Sequence, residues 1–287
     1  GSAGAISVTG DTVRVAGRRE CQLRRAAATA TFAVWEQIRT ALVAAQVTVD
    51  RRLITSFVGY ERALDNRGER VMRQATSLRS GVAGVPWRSI PIDSLTAVGY
   101  AVTEPNGVTT YFAPDLSVLV SDRFIAEHCL RLVAEDQRIG IAFDPTRNRR
   151  NVPEIEGTIW IDRVSKALRS LDFKYVNVSR HEETLGGGHV EFARLPDGGG
   201  LVTRWKIRVP EVLTRYGAGG ALREGNQVAG RVVREVHETG GLLSLVRSGS
   251  DTLWSNPALF IAGSVVDSMG RAVPGARVSL RGSGVPT

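Results

Sequence analysis

Apolar and polar residues alternate with a period of two through most of this chain. The pattern is clearest from Glu154 to Val178, EIEGTIWIDRVSKALRSLDFKYVNV. On an extended backbone Thr158, Trp160 and Asp162 share one side, and Gly157, Ile159 and Ile161 the other. On the return, Leu168, Ser170, Asp172 and Lys174 alternate with Leu171, Phe173, Tyr175 and Asn177. One side is apolar and the other mixed, which predicts an antiparallel hairpin packed on one face, with Arg163 to Lys166 as its polar connection. The β-branched and aromatic content excludes a helix here.

The same reading extends outward. Ala26 to Gln46 is the one long helical pattern, with a stripe at Phe32, Trp35, Ile38 or Arg39, and Leu42 that is expected to pack on the sheet. Leu53 to Leu64 and Glu69 to Ser80 read as strands joined around Asp65-Asn66-Arg67-Gly68. Pro86 to Pro91 is a loop carrying Trp87, and Ala97 to Val102 pairs with Val108 to Phe112. Ser121-Asp122 caps a short helix from Arg123 to Cys129, followed by strands Leu130 to Ala134 and Gly140 to Phe143. Beyond the central hairpin come a glycine loop at Gly186 to Gly188, strands His189 to Leu195 and Leu201 to Val209, and an extended Gln227 to Glu238. Thr12 to Val15 reads as a strand in an N-terminal arm, and Gly240 to Asn256 is weakly patterned and reads as a linker. The expected fold is mainly β (α+β): a curved antiparallel sheet or half-barrel of about ten strands wrapping one long helix.

At 287 residues, 43% hydrophobic and 23% charged, the chain has globular composition and ample length for a core. No run of about 18 apolar residues exists, so no transmembrane segment is expected. The chain begins at Gly1, as a mature or trimmed chain would, so the lack of a signal peptide says nothing of its compartment. A formal charge of +8 raises the question of nucleic acid. Lys166, Lys174 and Lys206 are the only lysines, and the arginines are scattered singly, without a basic helix or an aromatic-lined groove. A dispersed basic surface is the expectation, with no nucleic-acid partner.

Two stretches resemble known families. The strands carrying Gly157, Ile159, Trp160, Ile161 and Asp162, then Leu168, Leu171 and Phe173, resemble the half-barrel domains of periplasmic lipoprotein carriers and related envelope sensors, over Ala26 to Val209. That resemblance implies a sheet wrapped on a helix, and a fold more than an activity. Leu259 to Gly284 resembles the opening of a carboxypeptidase regulatory-like domain, a transthyretin-like or carbohydrate-binding-like β-sandwich. It does so through Gly263, Val265, Asp267, Gly270, Pro274, Gly275, Ala276 and Val278, with Val273 inserted before the proline. Asp267 to Gly270 is expected to turn between two strands, and Pro274-Gly275 to bend into the second. Only the first strands of such a sandwich are expected, so either the module is incomplete or its strands complete a sheet elsewhere, as with the N-terminal arm. The name implies no peptidase activity. The expected organisation is an arm over 1–20, a half-barrel over 21–239, a linker over 240–257 and the start of the module over 258–287.

These resemblances imply a periplasmic or extracellular, outer-membrane-associated setting. In that setting the two cysteines, Cys21 and Cys129, are expected to form a disulfide; two buried free thiols are the alternative. Candidate chemistry is thin. His189 and Glu191 share a strand face and His181-Glu182-Glu183 lies nearby, but no zinc motif spacing is present. His128 precedes Cys129, and Asp162 and Asp172 lie on adjacent strands as a glycosidase pair could. No phosphate loop or nucleophile elbow is present, and no cofactor is expected. Phe32, Trp35, Phe57, Trp160, Tyr175 and Trp205 could line an apolar ligand pocket between sheet and helix, or simply fill the core. The expected function is a non-catalytic binding or scaffold protein of the bacterial envelope, whose partner is an envelope component or an apolar ligand. The alternatives are a carrier of lipid or another apolar molecule, a metal-dependent hydrolase, and carbohydrate binding through the C-terminal module.

Overall fold

A computed structural model describes residues 21, 25–51, 53–82, 86–215 and 230–256, together with positions 267–269, 271, 273 and 275. The elements in chain order begin with helix α1 (Arg25–Asp50), strands β1 (Ile54–Leu64) and β2 (Val71–Val82), and helix α2 (Ile92–Val98). Next are β3 (Ala101–Thr103), β4 (Thr109–Tyr111), the short helices α3 (Leu116–Leu119) and α4 (Asp122–Glu127), β5 (His128–Ala134) and β6 (Arg138–Pro145). Then follow β7 (Glu154–Asp162), β8 (Leu168–Val176), α5 (Arg180–Leu185), β9 (Gly187–Arg194), β10 (Gly200–Arg215), β11 (Gly230–Ser248) and β12 (Asp251–Ser255).

Ten of these strands form one antiparallel open sheet, ordered β2-β1-β11-β10-β9-β8-β7-β6-β5, with β12 paired to β11; β3 and β4 pair separately. The path is a meander from β5 to β11, and the β1–β2 hairpin is laid against the far side of β11. The β7–β8 hairpin has the expected register, with Ile159 opposite Leu171 and Thr158 opposite Asp172. Its turn is held by Asp162, which accepts from the amides of Val164 and Ser165, and Lys166 adopts φ 57°.

Helix α1 packs on β5 to β8 and β10. Its buried apolar residues are Val34, Trp35, Ile38, Leu42 and Ala45, which meet Ile159, Leu171, Phe173, Tyr175 and Val190 in one continuous core. Phe32, expected on this stripe, is 65% exposed. Six residues of helix separate it from Ile38, a rotation of ~240° at ~100° per residue, so the two cannot share a face.

Other departures are local. Residues 97 and 98 belong to α2 rather than to a strand, and Cys129 lies in β5, not on a helix. Ser179-x-x-Glu182 is a capping box that opens α5, a signal that the glycine-rich surroundings obscure. The stretch read as a linker from Gly240 is the second half of β11 followed by β12. Its glycines are there because aromatic rings need the room: a Cβ at Gly240 would lie 2.4 Å from the Tyr60 ring, and one at Gly241 2.2 Å from the Trp205 ring. Small residues weaken a hydropathy pattern without weakening the strand.

The chain divides after Ser255 into two units. In the second, the Asp267 carboxylate accepts from the amides of Met269 and Arg271, and the Asp267 amide donates to the Arg271 carbonyl, closing the expected turn. Gly275 has φ 74°. The strands proposed around this turn, the N-terminal strand Thr12 to Val15 and the region around Gly217 to Gly220 lie outside the described residues.

Candidate functional site

Strands β1, β2 and β11 carry the sheet beyond the core that α1 builds, and on the α1 side of these strands lies an open groove of about 610 Å³. Alternation places Phe57, Gly59 and Glu61 of β1 and Ala75, Ser77 and Arg79 of β2 along it, in register, with Gly59 opposite Ser77. Trp205 of β10 forms its inner wall and meets Phe57 edge to face, ring centres 5.3 Å apart. Trp87 closes one side, positioned by a hydrogen bond from its Nε1 to the Pro114 carbonyl (3.2 Å). Gly59 keeps the floor low: a Cβ there would meet nothing closer than Ser77 Oγ at 3.5 Å. Arg79 has no ion-pair partner among the described residues and brings a positive charge to the rim.

Of the six aromatic residues expected around a pocket, the structure brings Phe57 and Trp205 to this groove. Trp35 and Tyr175, 1% and 0% exposed, are enclosed in the packed core. Trp160 points to the other side of the sheet, where it covers Gly140 and lies under the Arg138 guanidinium, 4.2 Å from its ring centre. That direction follows from its alternation with Ile159 and Ile161, so it could not share a cavity with them. Phe32 is on solvent. Sequence reasoning singles out neither Gly59, Ala75 nor Ser77, whose signal is a pair of small side chains at alternate positions of β2 facing a glycine of β1, and it places Trp87 in a loop without a role.

The face opposite the groove is tied by charge. Glu238, 1% exposed, accepts from Arg208 Nε (2.6 Å) and Arg62 Nη1 (3.2 Å). Beside it, burial and then the Glu238 charge push the Tyr60 hydroxyl up to about 12.

The candidate reactive groups are each engaged elsewhere. Cys129 is bonded to Cys21, with Cα atoms 5.1 Å apart, so no thiol remains beside His128. Asp162 is held well below the carboxylate range by Arg169 and the turn donors around Ser165, and Asp172 is bonded to His189. His189 lies between two carboxylates: Nδ1 is 2.5 Å from Asp172 and Nε2 is 3.4 Å from Glu191, and the Asp172 contact raises its pKa. The two carboxylates sit on opposite ring nitrogens, so they do not converge with one histidine nitrogen on a common point. A shallow, charged depression of about 820 Å³ surrounds this group. His181 is exposed on α5.

One histidine and two carboxylates do converge. His237 Nε2 lies 2.9 Å from Glu211 and 3.3 Å from Glu235. Arg234 and Arg73 already pair with those carboxylates at 3.0 and 2.8 Å. Two guanidiniums neutralise the two carboxylates, leaving no net negative charge to draw a cation, and the group works as an ion-pair network across β2, β10 and β11.

Among the described residues no helix is long and apolar enough to cross a membrane. No protein-family model matches the chain, and no curated protein matches it. Among solved structures, the crystal structure of a domain described as that of an outer membrane lipoprotein-sorting protein, from Vibrio parahaemolyticus, aligns over 73% of this chain and 92% of that one. The identity is 13% and the TM-score 0.29, a distant structural similarity from which no family membership follows.

Proposed function

We propose that this chain is a non-catalytic, extracytoplasmic binding protein of the bacterial envelope that holds an elongated apolar molecule with an anionic head. The groove between β1, β2 and Trp205 carries this reading. Its volume of about 610 Å³ falls in the range of small-molecule sites, and it joins two aromatic walls to a floor of small residues. Helix α1, with Leu95, Tyr100, Leu116, Leu119 and Phe124 beside it, builds the core on the sheet's inner face but leaves this end open, so Phe57, Trp87 and Trp205 wall a groove where the core would otherwise close. Arg79 at the rim, without an ion-pair partner among the described residues, favours an anionic head over a neutral one. The Cys21–Cys129 disulfide supports an oxidising compartment. Engagement of the candidate nucleophiles, acids and bases in turns and ion pairs supports binding over catalysis.

The reading is tested by calorimetric titration with dodecanoate and with dodecanol. Both are expected to bind, and Arg79→Glu is expected to weaken dodecanoate several-fold while leaving dodecanol unchanged. Failure of both ligands to bind, or an equal loss for the two, contradicts it.

A further inference from the structure

Strand β2 ends the sheet, and every one of its 12 residues is exposed. On its outer side it hydrogen-bonds to no strand among the described residues. The opposite edge, β5, is guarded: it has 7 residues, begins at the buried His128 and is fixed by the disulfide at Cys129. β2 is lightly protected for an edge strand: it is long and contains no proline, lysine or acidic residue, and its only guards are Arg73, Arg79 and a bulge at Met72 near one end. It also exposes Leu78 and Val82, at 72% and 63%, on the face away from α1, and Met72, at 53%, at the bulge beside Arg73.

We propose that two copies of this chain pair edge to edge through β2, antiparallel, about a two-fold axis at Ser77. A two-fold axis relating antiparallel strands of one continuous sheet stands normal to it and keeps each face on its own side. Opposed residues must therefore have the same parity, so the axis passes through a residue. Only Thr76 and Ser77 allow nearly the whole strand to pair. An axis at Thr76 sets Arg73 against Arg79 of the second copy, twice, which is destabilising. An axis at Ser77 sets Arg73 against Gly81, Arg79 against Ala75 and Met72 against Val82, and brings the two Leu78 side chains diagonally across the axis. Charge spacing thus selects one register, and that register buries the exposed apolar residues. The second copy is the fitting occupant because its own edge supplies both the backbone groups and the apolar partners. The pairing does not depend on the groove being a ligand site.

Sedimentation equilibrium of the whole chain at micromolar concentration is expected to give twice the chain mass. Leu78→Lys, a change at a solvent-exposed site, is expected to halve that mass with an unchanged far-UV spectrum. Under mild oxidation Ser77→Cys is expected to form a covalent dimer and Thr76→Cys to form none. A monomeric wild type, which leaves the edge to a strand from another protein, overturns the proposal. So does any species larger than two copies, or a Thr76→Cys dimer formed as readily as the Ser77→Cys one.

Discussion

His128 shows how far a single buried side chain can bind this fold to pH. It stacks on Phe124 with ring centres 4.3 Å apart, meets Phe143 edge on at 5.5 Å, and its Nδ1 lies 2.8 Å from the Phe124 carbonyl. Burial holds its pKa at about 4, against the ordinary 6.5. Between those values the unfolded chain binds a proton that the folded chain does not, so stability falls as pH drops through that window, by about 3 kcal/mol in all. Glu154, pushed up to about 7 by burial against the opposing Arg149 guanidinium, works the other way. It takes up a proton on folding, so its share of stability is lost as pH rises toward 7. Comparison with His128→Phe, which keeps the ring contacts, isolates the histidine: urea unfolding at pH 4.5 and 7.5 should show a smaller acid loss in the variant. An equal loss in both proteins would place the proton elsewhere. At this scale the sequence was only half legible. Alternation gave the facing of Ile159, Leu171 and Phe173, but only the structure shows that Arg138 lies over Trp160 and that Arg149 reaches both Glu154 and the Leu95 carbonyl. Arg138 and Trp160, like Arg149 and Leu95, lie far apart in the chain, and no local pattern encodes such contacts.

Among the elements, the central hairpin and α1 were readable because each carries a strong period over many residues. The expected strand Gln227 to Glu238 stops short of the end of β11 because Gly240 and Gly241, placed to admit Tyr60 and Trp205, erase the alternation there. α5 is one and a half turns long, so its capping box was its only signal. The Cys21–Cys129 bond ties β5 to the segment preceding α1 across a separation of 108 residues. A loop of that length contributes about 4–5 kcal/mol in the chain-entropy model. The double variant Cys21→Ser, Cys129→Ser should therefore unfold at lower urea concentration, with a loss of up to that size. Unchanged stability would mean that the cross-link restrains nothing that the core does not already hold.

For the molecule as a whole, one arrangement decides the rest. Helix α1 packs on one end of a ten-stranded open sheet, and the other end is left with an open groove, walled by Phe57, Trp87 and Trp205, and an exposed edge strand. Burial drives closure wherever apolar side chains can meet, so an open end is the feature that calls for a partner. Gly59 offers the most direct test, since its position faces the groove with room for a side chain. A fluorescent long-chain fatty acid titrated into the wild type should bind saturably. Gly59→Leu, which fills the floor, should weaken it by about tenfold or more, ~1.4 kcal/mol, with an unchanged melting temperature. Equal affinity in the two proteins would show that the groove is not where an apolar ligand sits.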